Sequence, residues 1–431
     1  MSARKGDPDN MLGSSHPMGN ANVRQAMLAF AEANLLECFI TSIAIFDSTI
    51  LGHISKFSPL RELGRRHFPK ALQRFTRCHP ARELLRLLLL RSGRQAWITH
   101  ETGWASVDQN FSALDRKLSR LVARRKMQAV YCYEDGALAS FRSAKKNGIK
   151  CIYDYPVAHW RKVDSIMQEE SALHPEWIVT MPGFKDSQGK RDRKDEELRL
   201  ADRIYVASEF SRRSLNDYPF PLAPIIVNSY GSPLQSLLTP DCPAYATPPS
   251  QPLKILFVGG LHQLKGLSYL IDARNILGKK VTLTMIGALL TKECNPLNKA
   301  LATNHWIPSL SHHEILEQMR LHDIFVFPSL AEGFGMVITE ALSQGLPVIT
   351  TPNTCGPDVI SEGVDGFIVP SRHPEAIVEK IEILLRDRDR LAAMSAAARV
   401  KARQLTWESY RARLISDLTT HVIPRTDISH G

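Results

Sequence analysis

The chain has little cysteine and no long apolar run, and both absences narrow what it can be. Its seven cysteines, Cys38, Cys78, Cys132, Cys151, Cys242, Cys294 and Cys355, are scattered through 431 residues with no CxxC pair and no zinc-ligand spacing. They read as reduced thiols rather than as a disulfide framework or a metal site. The longest apolar burst, "LLRLLLL" at 84–90, is far short of the roughly 20 residues that span a bilayer. Residues 1–16 are polar at the start and lack the apolar core of a secretion signal, so they are expected to form a flexible leader and the protein to be cytoplasmic. Acidic clusters suited to a metal are scarce as well. The D-x-D of Asp387 to Asp389 in "LLRDRDRL" is flanked by arginines and reads as a charge-paired helix face. His312 and His313 are adjacent, and adjacent residues do not face one metal as an i, i+4 pair does. No metal and no other cofactor is expected.

What the chain has is length and an α/β rhythm. At 431 residues it is too long for one typical core, and two domains are the default. The stretch "TPDCPAYATPPSQP" at 239–252 holds five prolines in fourteen residues and reads as a linker. Short apolar runs alternate with amphipathic stretches on both sides of it. Before it stand "LLECFITSIAIF" (35–46), "RQAWIT" (94–99), "MQAVYCYE" (127–134), "IKCIYDYP" (149–156), "ADRIYVAS" (201–208) and "APIIVNSY" (223–230). After it stand "LKILFVGG" (253–260), "KVTLTMIG" (280–287), "DIFVFPS" (323–329) and "LPVITTP" (346–352). Strands joined by crossover helices imply a parallel sheet in each half. The expectation is a Rossmann-like domain over 17–240, a linker over 241–252, a second such domain over 253–404, and a helix and tail over 405–431 packing back on the first domain. In doubly wound sheets ligands sit beyond the carboxyl ends of strands, so the sites should follow "YCYE", "YDYP", "FVGG" and "FPS".

Charge is unevenly spread. The net charge is +10, and between Lys56 and Arg94 eleven Lys or Arg stand against only Glu62 and Glu83. Residues 116–126 add six more cations. These cations are interleaved with Leu and Phe at helical spacing, which fits an anionic membrane surface better than nucleic acid, for which no recognition module accompanies the charge. A solvated basic face, or the dock of an anionic soluble acceptor, is the plainer alternative.

In "PSLAEGFGMVITEALSQG" (328–345) two glutamates, Glu332 and Glu340, flank Gly333 and Gly335. Eight helical residues would separate the two carboxylates by roughly 12 Å. The acid and base of a glycosidase work at about 5–9.5 Å. This spacing instead suits one ligand held at two places. Glycines let backbone approach it, and a helix N-terminus near Gly335, Met336 and Val337 presents unpaired amides to a phosphate. A sugar, a diphosphate and a ribose in a row would match carboxylate, amide cradle and second carboxylate.

The segment "VFPSLAEGFGMVITEALSQGLPVITT" resembles the signature of retaining, GT-B-fold glycosyltransferases of family 4, the group 1 enzymes with an E-x7-E motif. "TCGPDVISEGVDGFIVP" (354–370) and "KILFVGGLHQLKG" (254–266) resemble neighbouring blocks of that family. The resemblance implies two Rossmann-like domains facing across a cleft and sugar transfer from a nucleoside-diphosphate sugar to an acceptor hydroxyl, with retention and without metal. Alternatives on the same fold are a sugar-nucleotide epimerase or phosphorylase; a non-catalytic nucleotide-binding scaffold is the other. Carried over, Glu332 would hold donor-sugar hydroxyls, Glu340 the ribose, and the loop Gly333, Phe334, Gly335, Met336 and Val337 the sugar and diphosphate. Lys265 would neutralise the departing diphosphate. The family's usual second cation, an arginine, is replaced by Gly260, with His262 nearby. Gly19 and Asn20 would touch the phosphates from the opposite wall. Asp154 or His159 would contact the transferring sugar or the acceptor. Apart from the resemblance, Glu134 and Asp135 end the strand "YCYE" at a cleft position that suits the acceptor, with helix capping by Asp135 as the plainer alternative. Many enzymes of this fold act on lipid-linked acceptors at the inner face of a membrane, which adds a peripheral membrane contact to the expectation.

Overall fold

The computed structural model of the protein describes residues 11–47, 66–92, 96–125, 127–181, 186–232, 247–248 and 250–423. Seven strands form the first sheet in the order β3-β2-β1-β4-β5-β6-β7 and six form the second in the order β10-β9-β8-β11-β12-β13. Among the described residues every strand pairing is parallel. The first sheet comprises β1 (Leu12–Ser15), β2 (Leu36–Thr41), β3 (Thr76–Cys78), β4 (Ala129–Tyr133), β5 (Lys150–Tyr155), β6 (Arg203–Val206) and β7 (Ile225–Val227). The second comprises β8 (Leu253–Val258), β9 (Val281–Ile286), β10 (His305–Ile307), β11 (Ile324–Phe327), β12 (Val348–Thr350) and β13 (Gly366–Ile368). The central strands β4, β5, β8 and β11 are buried along nearly all their length, as parallel sheets covered by helices require.

Two expectations are corrected. Residues 12–15, assigned to a leader, form β1, which lies between β2 and β4 at the centre of the sheet. "LGSS" has one apolar side chain, so no periodicity betrays it. The rest of the leader, 1–10, lies outside the described residues, as do residues 241–246 and 249 of the linker. "RQAWIT" is not a strand where it is described: Ala96–Ile98 is a 3-10 turn. The short edge strands β3, β10 and β13 carry too few residues to show a pattern in sequence.

Among the described residues fourteen α-helices have six residues or more: α1 (Ala21–Glu32), α2 (Ala81–Ser92), α3 (Val107–Val122), α4 (Leu138–Lys146), α5 (Trp160–Leu173), α6 (Gln188–Leu200), α7 (Glu209–Ser214), α8 (Leu267–Leu277), α9 (Asn295–Thr303), α10 (His312–Arg320), α11 (Met336–Ser343), α12 (Pro374–Arg386), α13 (Arg388–Ala402) and α14 (Trp407–His421). The last of these leaves the second domain and packs on the first. Asp417 accepts from Arg203 Nε at 2.6 Å, Arg413 Nη2 donates to the Ser229 carbonyl at 2.7 Å, and Trp407 and Tyr410 close over Tyr230.

The two domains meet through buried polar groups. Glu170 on α5, wholly buried, accepts from Gln263 Nε2 at 2.9 Å and Tyr269 OH at 3.0 Å, and pairs with Arg372. Gln263 N–H in turn donates to Thr180 Oγ1 at 3.0 Å. On the other side of the interface, Ser208 and Ser211 of the α7 turn donate to the Gly333 carbonyl at 2.6 and 2.8 Å.

Candidate active site

Strand order in the second sheet reverses between β8 and β11, where an open α/β sheet forms its crevice. Lys265 ends the 3-10 turn Gln263–Lys265 after β8, and Glu332 lies in the loop after β11. Their side chains form an ion pair, both largely buried. Lys265 Nζ also stands 5.7 Å from the centre of the Phe327 ring. Burial pulls the ammonium down to about 8, and the adjoining carboxylate favours its charged form.

The glycine loop is held from both domains. The Glu332 amide donates to the Asn353 carbonyl at 3.0 Å, and a Cβ on residue 333 would stand 2.0 Å from the Pro156 carbonyl oxygen. No side chain fits there. Gly335, with φ +87°, is the N-cap of α11, and Met336 and Val337 form its first turn, where amides lack an intrahelical partner. Phe334 departs from its expected role. Its ring is buried against Tyr230, with centroids 5.1 Å apart, and its carbonyl accepts from Cys355 N–H at 2.8 Å. It ties the domains together and does not present its side chain to a donor. Glu340, mostly buried on α11, lies 3.0 Å from His312 Nε2. Gly260 follows β8 without a cation to offer. A Cβ there would stand 3.1 Å from the His262 ring, and burial lowers His262 to about 4 and so keeps it neutral.

The first domain brings its expected residues to strand ends, but several serve packing. Gly19 lies under Phe68, whose ring a Cβ would meet at 2.1 Å. Asn20 is the exposed N-cap of α1 and its side chain makes no capping bond. Asn22, one turn on, donates to Tyr230 OH at 3.1 Å and so connects α1 to the Phe334 contact. Asp154 is buried, accepts from Tyr131 OH at 2.7 Å, and is pushed up to about 7 by burial. His159 is also wholly buried, among Tyr155, Trp160 and Tyr218, and burial lowers it to about 4. Neither side chain opens on the cleft, which corrects the expectation of sugar contact.

Glu134 and Asp135 do follow β4, but α6 answers their charge. Lys194 Nζ is 3.3 Å from Glu134; Arg193 and Lys190 are 2.8 and 3.4 Å from Asp135. Among the described residues one trio, His100, Glu101 and Asp186, has ligand atoms close enough for a metal. Two ammonium groups already stand there, Lys190 and Lys194, each 2.9 Å from Asp186.

Other groups were not singled out in sequence. Ser208 and Ser211 hold the Gly333 carbonyl; "SEFS" shows only as a helix cap. The hydroxyls of Ser14, Thr41, Ser42 and Tyr133 are buried without a hydrogen-bond partner at or just beyond the carboxyl-terminal parts of β1, β2 and β4. Strands ending in small hydroxyl residues were the available signal.

Residues 245–401 match the family model described as glycosyl transferases group 1. The D-inositol 3-phosphate glycosyltransferase of Xylanimonas cellulosilytica is 28% identical over 200 residues, 41% of this chain and 47% of that protein. The capsular polysaccharide biosynthesis glycosyltransferase CapM of Staphylococcus aureus is 35% identical over 139 residues, 30% of this chain and 36% of that protein. The chain thus spans less than half the length of these curated relatives. Whole-chain likeness appears in three dimensions. Sucrose-phosphate synthase from Thermosynechococcus elongatus superimposes with a TM-score of 0.60 at 16% identity, covering 95% of this chain and 98% of that one. Anabaena HepE in complex with UDP and glucose gives 0.60 at 14%, covering 95% and 99%. The chain has the GT-B fold, and residues 245–401, most of its second domain, match the family of glycosyl transferases group 1.

Proposed function

We propose that the protein is a retaining glycosyltransferase that moves a sugar from a nucleoside-diphosphate sugar to an acceptor hydroxyl, without a metal ion, in glycan or glycolipid synthesis. The observation that carries this reading is the Lys265–Glu332 pair at the β8/β11 crevice, with Glu340 on the helix that begins at the same loop. In the structure the two charges neutralise each other. An incoming donor exchanges that pair for two others, with the diphosphate taking the ammonium and the sugar hydroxyls taking Glu332. Amides at the start of α11 add positive potential beside the diphosphate.

As the anomeric carbon–oxygen bond breaks, charge grows on the bridging diphosphate oxygen, and Lys265 stabilises it more in the transition state than in the ground state. The acceptor hydroxyl attacks on the face the diphosphate is leaving, so configuration is retained. Its proton passes to a diphosphate oxygen, and no side-chain base is needed. The acceptor enters from the first domain, where buried hydroxyls of β1, β2 and β4 lack partners.

A lipid-linked acceptor at the inner face of an anionic membrane is favoured by the surface beside that domain's cleft edge. There α2 exposes Leu84 and Leu88, and Trp97 and Trp104 stand out nearby, with Arg82 stacked on the Trp104 ring at 4.2 Å.

Transfer and hydrolysis assayed across UDP-, GDP- and ADP-sugars, with and without EDTA, test the core of the reading. One donor should be consumed, and chelation should leave the rate intact. Complete loss on chelation, restored by manganese, rejects the metal-free site; binding of a nucleotide without turnover of any sugar favours a scaffold.

A further inference from the structure

His312 opens α10 and carries its imidazole across to α11, where Nε2 stands 3.0 Å from Glu340 Oε1. The histidine is 56% exposed by side chain and the glutamate 14%. The remaining polar groups of α10 are turned to other tasks. Glu314 folds back on the Ser311 amide in a capping box, His313 Nε2 lies 3.2 Å from Glu317, and Arg320 Nε donates to Gln344 at 2.8 Å. Glu340 is therefore the charged group that faces His312 from α11, the helix packed against α10. The pairing raises the imidazole's pKa, and partial burial opposes the rise.

We propose that His312 is a positioning residue of the nucleotide subsite: its imidazolium holds one oxygen of Glu340, leaving the rest of the carboxylate for the ribose hydroxyls, and donor binding draws a proton onto it. The inference rests on the donor-site reading above, in which Glu340 faces the ribose. A carboxylate offers about four lone-pair positions, so one bond from Nε2 leaves room for a diol. The arriving diphosphate adds negative charge to the same site. That charge favours imidazolium, so the proton is held more tightly in the complex than in the free protein. By linkage, the gain in affinity is complete below the free protein's His312 pKa. It is lost as pH rises through the pKa of the complex.

The test is calorimetric titration with UDP-glucose, GDP-mannose and ADP-glucose, the tightest being followed from about pH 5.5 to about pH 8.5. The diphosphate of such donors keeps its charge over that range. A pKa rise of about one unit would make Kd on the order of tenfold weaker at the alkaline end. Titrations in buffers of different ionisation enthalpy should show proton uptake on binding. His312→Gln, a change at an exposed position, should flatten the profile and abolish the uptake, weakening affinity chiefly at low pH. Glu340→Gln should remove the same coupling. If His312→Gln keeps the wild-type slope and uptake, His312 has no such role, while the donor site stands. If wild-type protein binds none of the three donors at any pH, the donor-site reading itself fails and this inference with it.

Discussion

Lys265 is the residue on which the proposed chemistry most depends, because Gly260 and neutral His262 leave no second cation beside it on the β8 side of the crevice. Removing a preorganised electrostatic contact of this kind costs about 2.7–4 kcal/mol, roughly 100- to 1,000-fold in turnover. Lys265→Ala should reach the upper end of that range in single-turnover rates at saturating donor. Retention of more than about a tenth of the wild-type rate would assign the leaving group to another cation. The ammonium's pKa of about 8 carries a second expectation. Activity measured as kcat/KM should fall as pH rises through that value, because the neutral amine cannot balance the diphosphate. Asp154 gives the opposite kind of prediction. Burial favours its protonated form, raising it from 3.8 to about 7, so it contributes stability at low pH that is lost as pH rises through the folded value. Asp154→Asn should flatten that fall in thermal unfolding and leave turnover within about tenfold of wild type. A loss on the order of a thousandfold would return Asp154 to the sugar.

At the scale of elements, the loop and helix at 328–345 were largely legible. Glycines, a Pro-Ser strand end and a terminal Gly345 mark strand, turn and helix, and α11 runs from Met336 to Ser343. What could not be read was which residue of the loop packs. Phe334 and Gly333 face Tyr230 and Pro156, both more than a hundred residues earlier in the chain. Glu170 was invisible for the same reason: on α5 it is one of two acids in "QEESAL" and its neighbour Glu169 is half exposed, yet it is buried under Gln263, Tyr269 and Arg372. Removing one partner from a buried charged network costs about 3–5 kcal/mol. Glu170→Ala should therefore lower the thermal midpoint and loosen the two domains. Unchanged unfolding and unchanged protease sensitivity would mean the network does not hold the interface.

For the molecule as a whole, the basic surplus divides. Arg66, which composition placed on the basic face, is buried against Glu83, while Arg65 lies outside the described residues. Lys70, Arg74 and Arg77 are exposed, and so are Leu88 and Trp97. Vesicles containing anionic lipid should retain the protein at low salt and release it as salt screens the cations. Lys70→Ser with Arg74→Ser should weaken the electrostatic part, and Leu88→Ser with Trp97→Ser the salt-resistant part. Wild-type protein that remains free of such vesicles at low salt would rule out the membrane reading.

Local chemistry was enough to announce two parallel sheets, a crevice loop with two carboxylates, and the lysine turn before it. Each of these is written in neighbouring residues: apolar runs buried on both faces, glycines in the turn between strand and helix, and a helix start. Folding in three dimensions settled the rest. It made β1 of "LGSS" a central strand, turned Asp154 and His159 inward, paired Lys265 with Glu332, and set His312 against Glu340. Those outcomes depend on which residues from distant parts of the chain share a buried volume, and desolvation and pairing there decide whether a charge is left for a ligand or used to hold the fold.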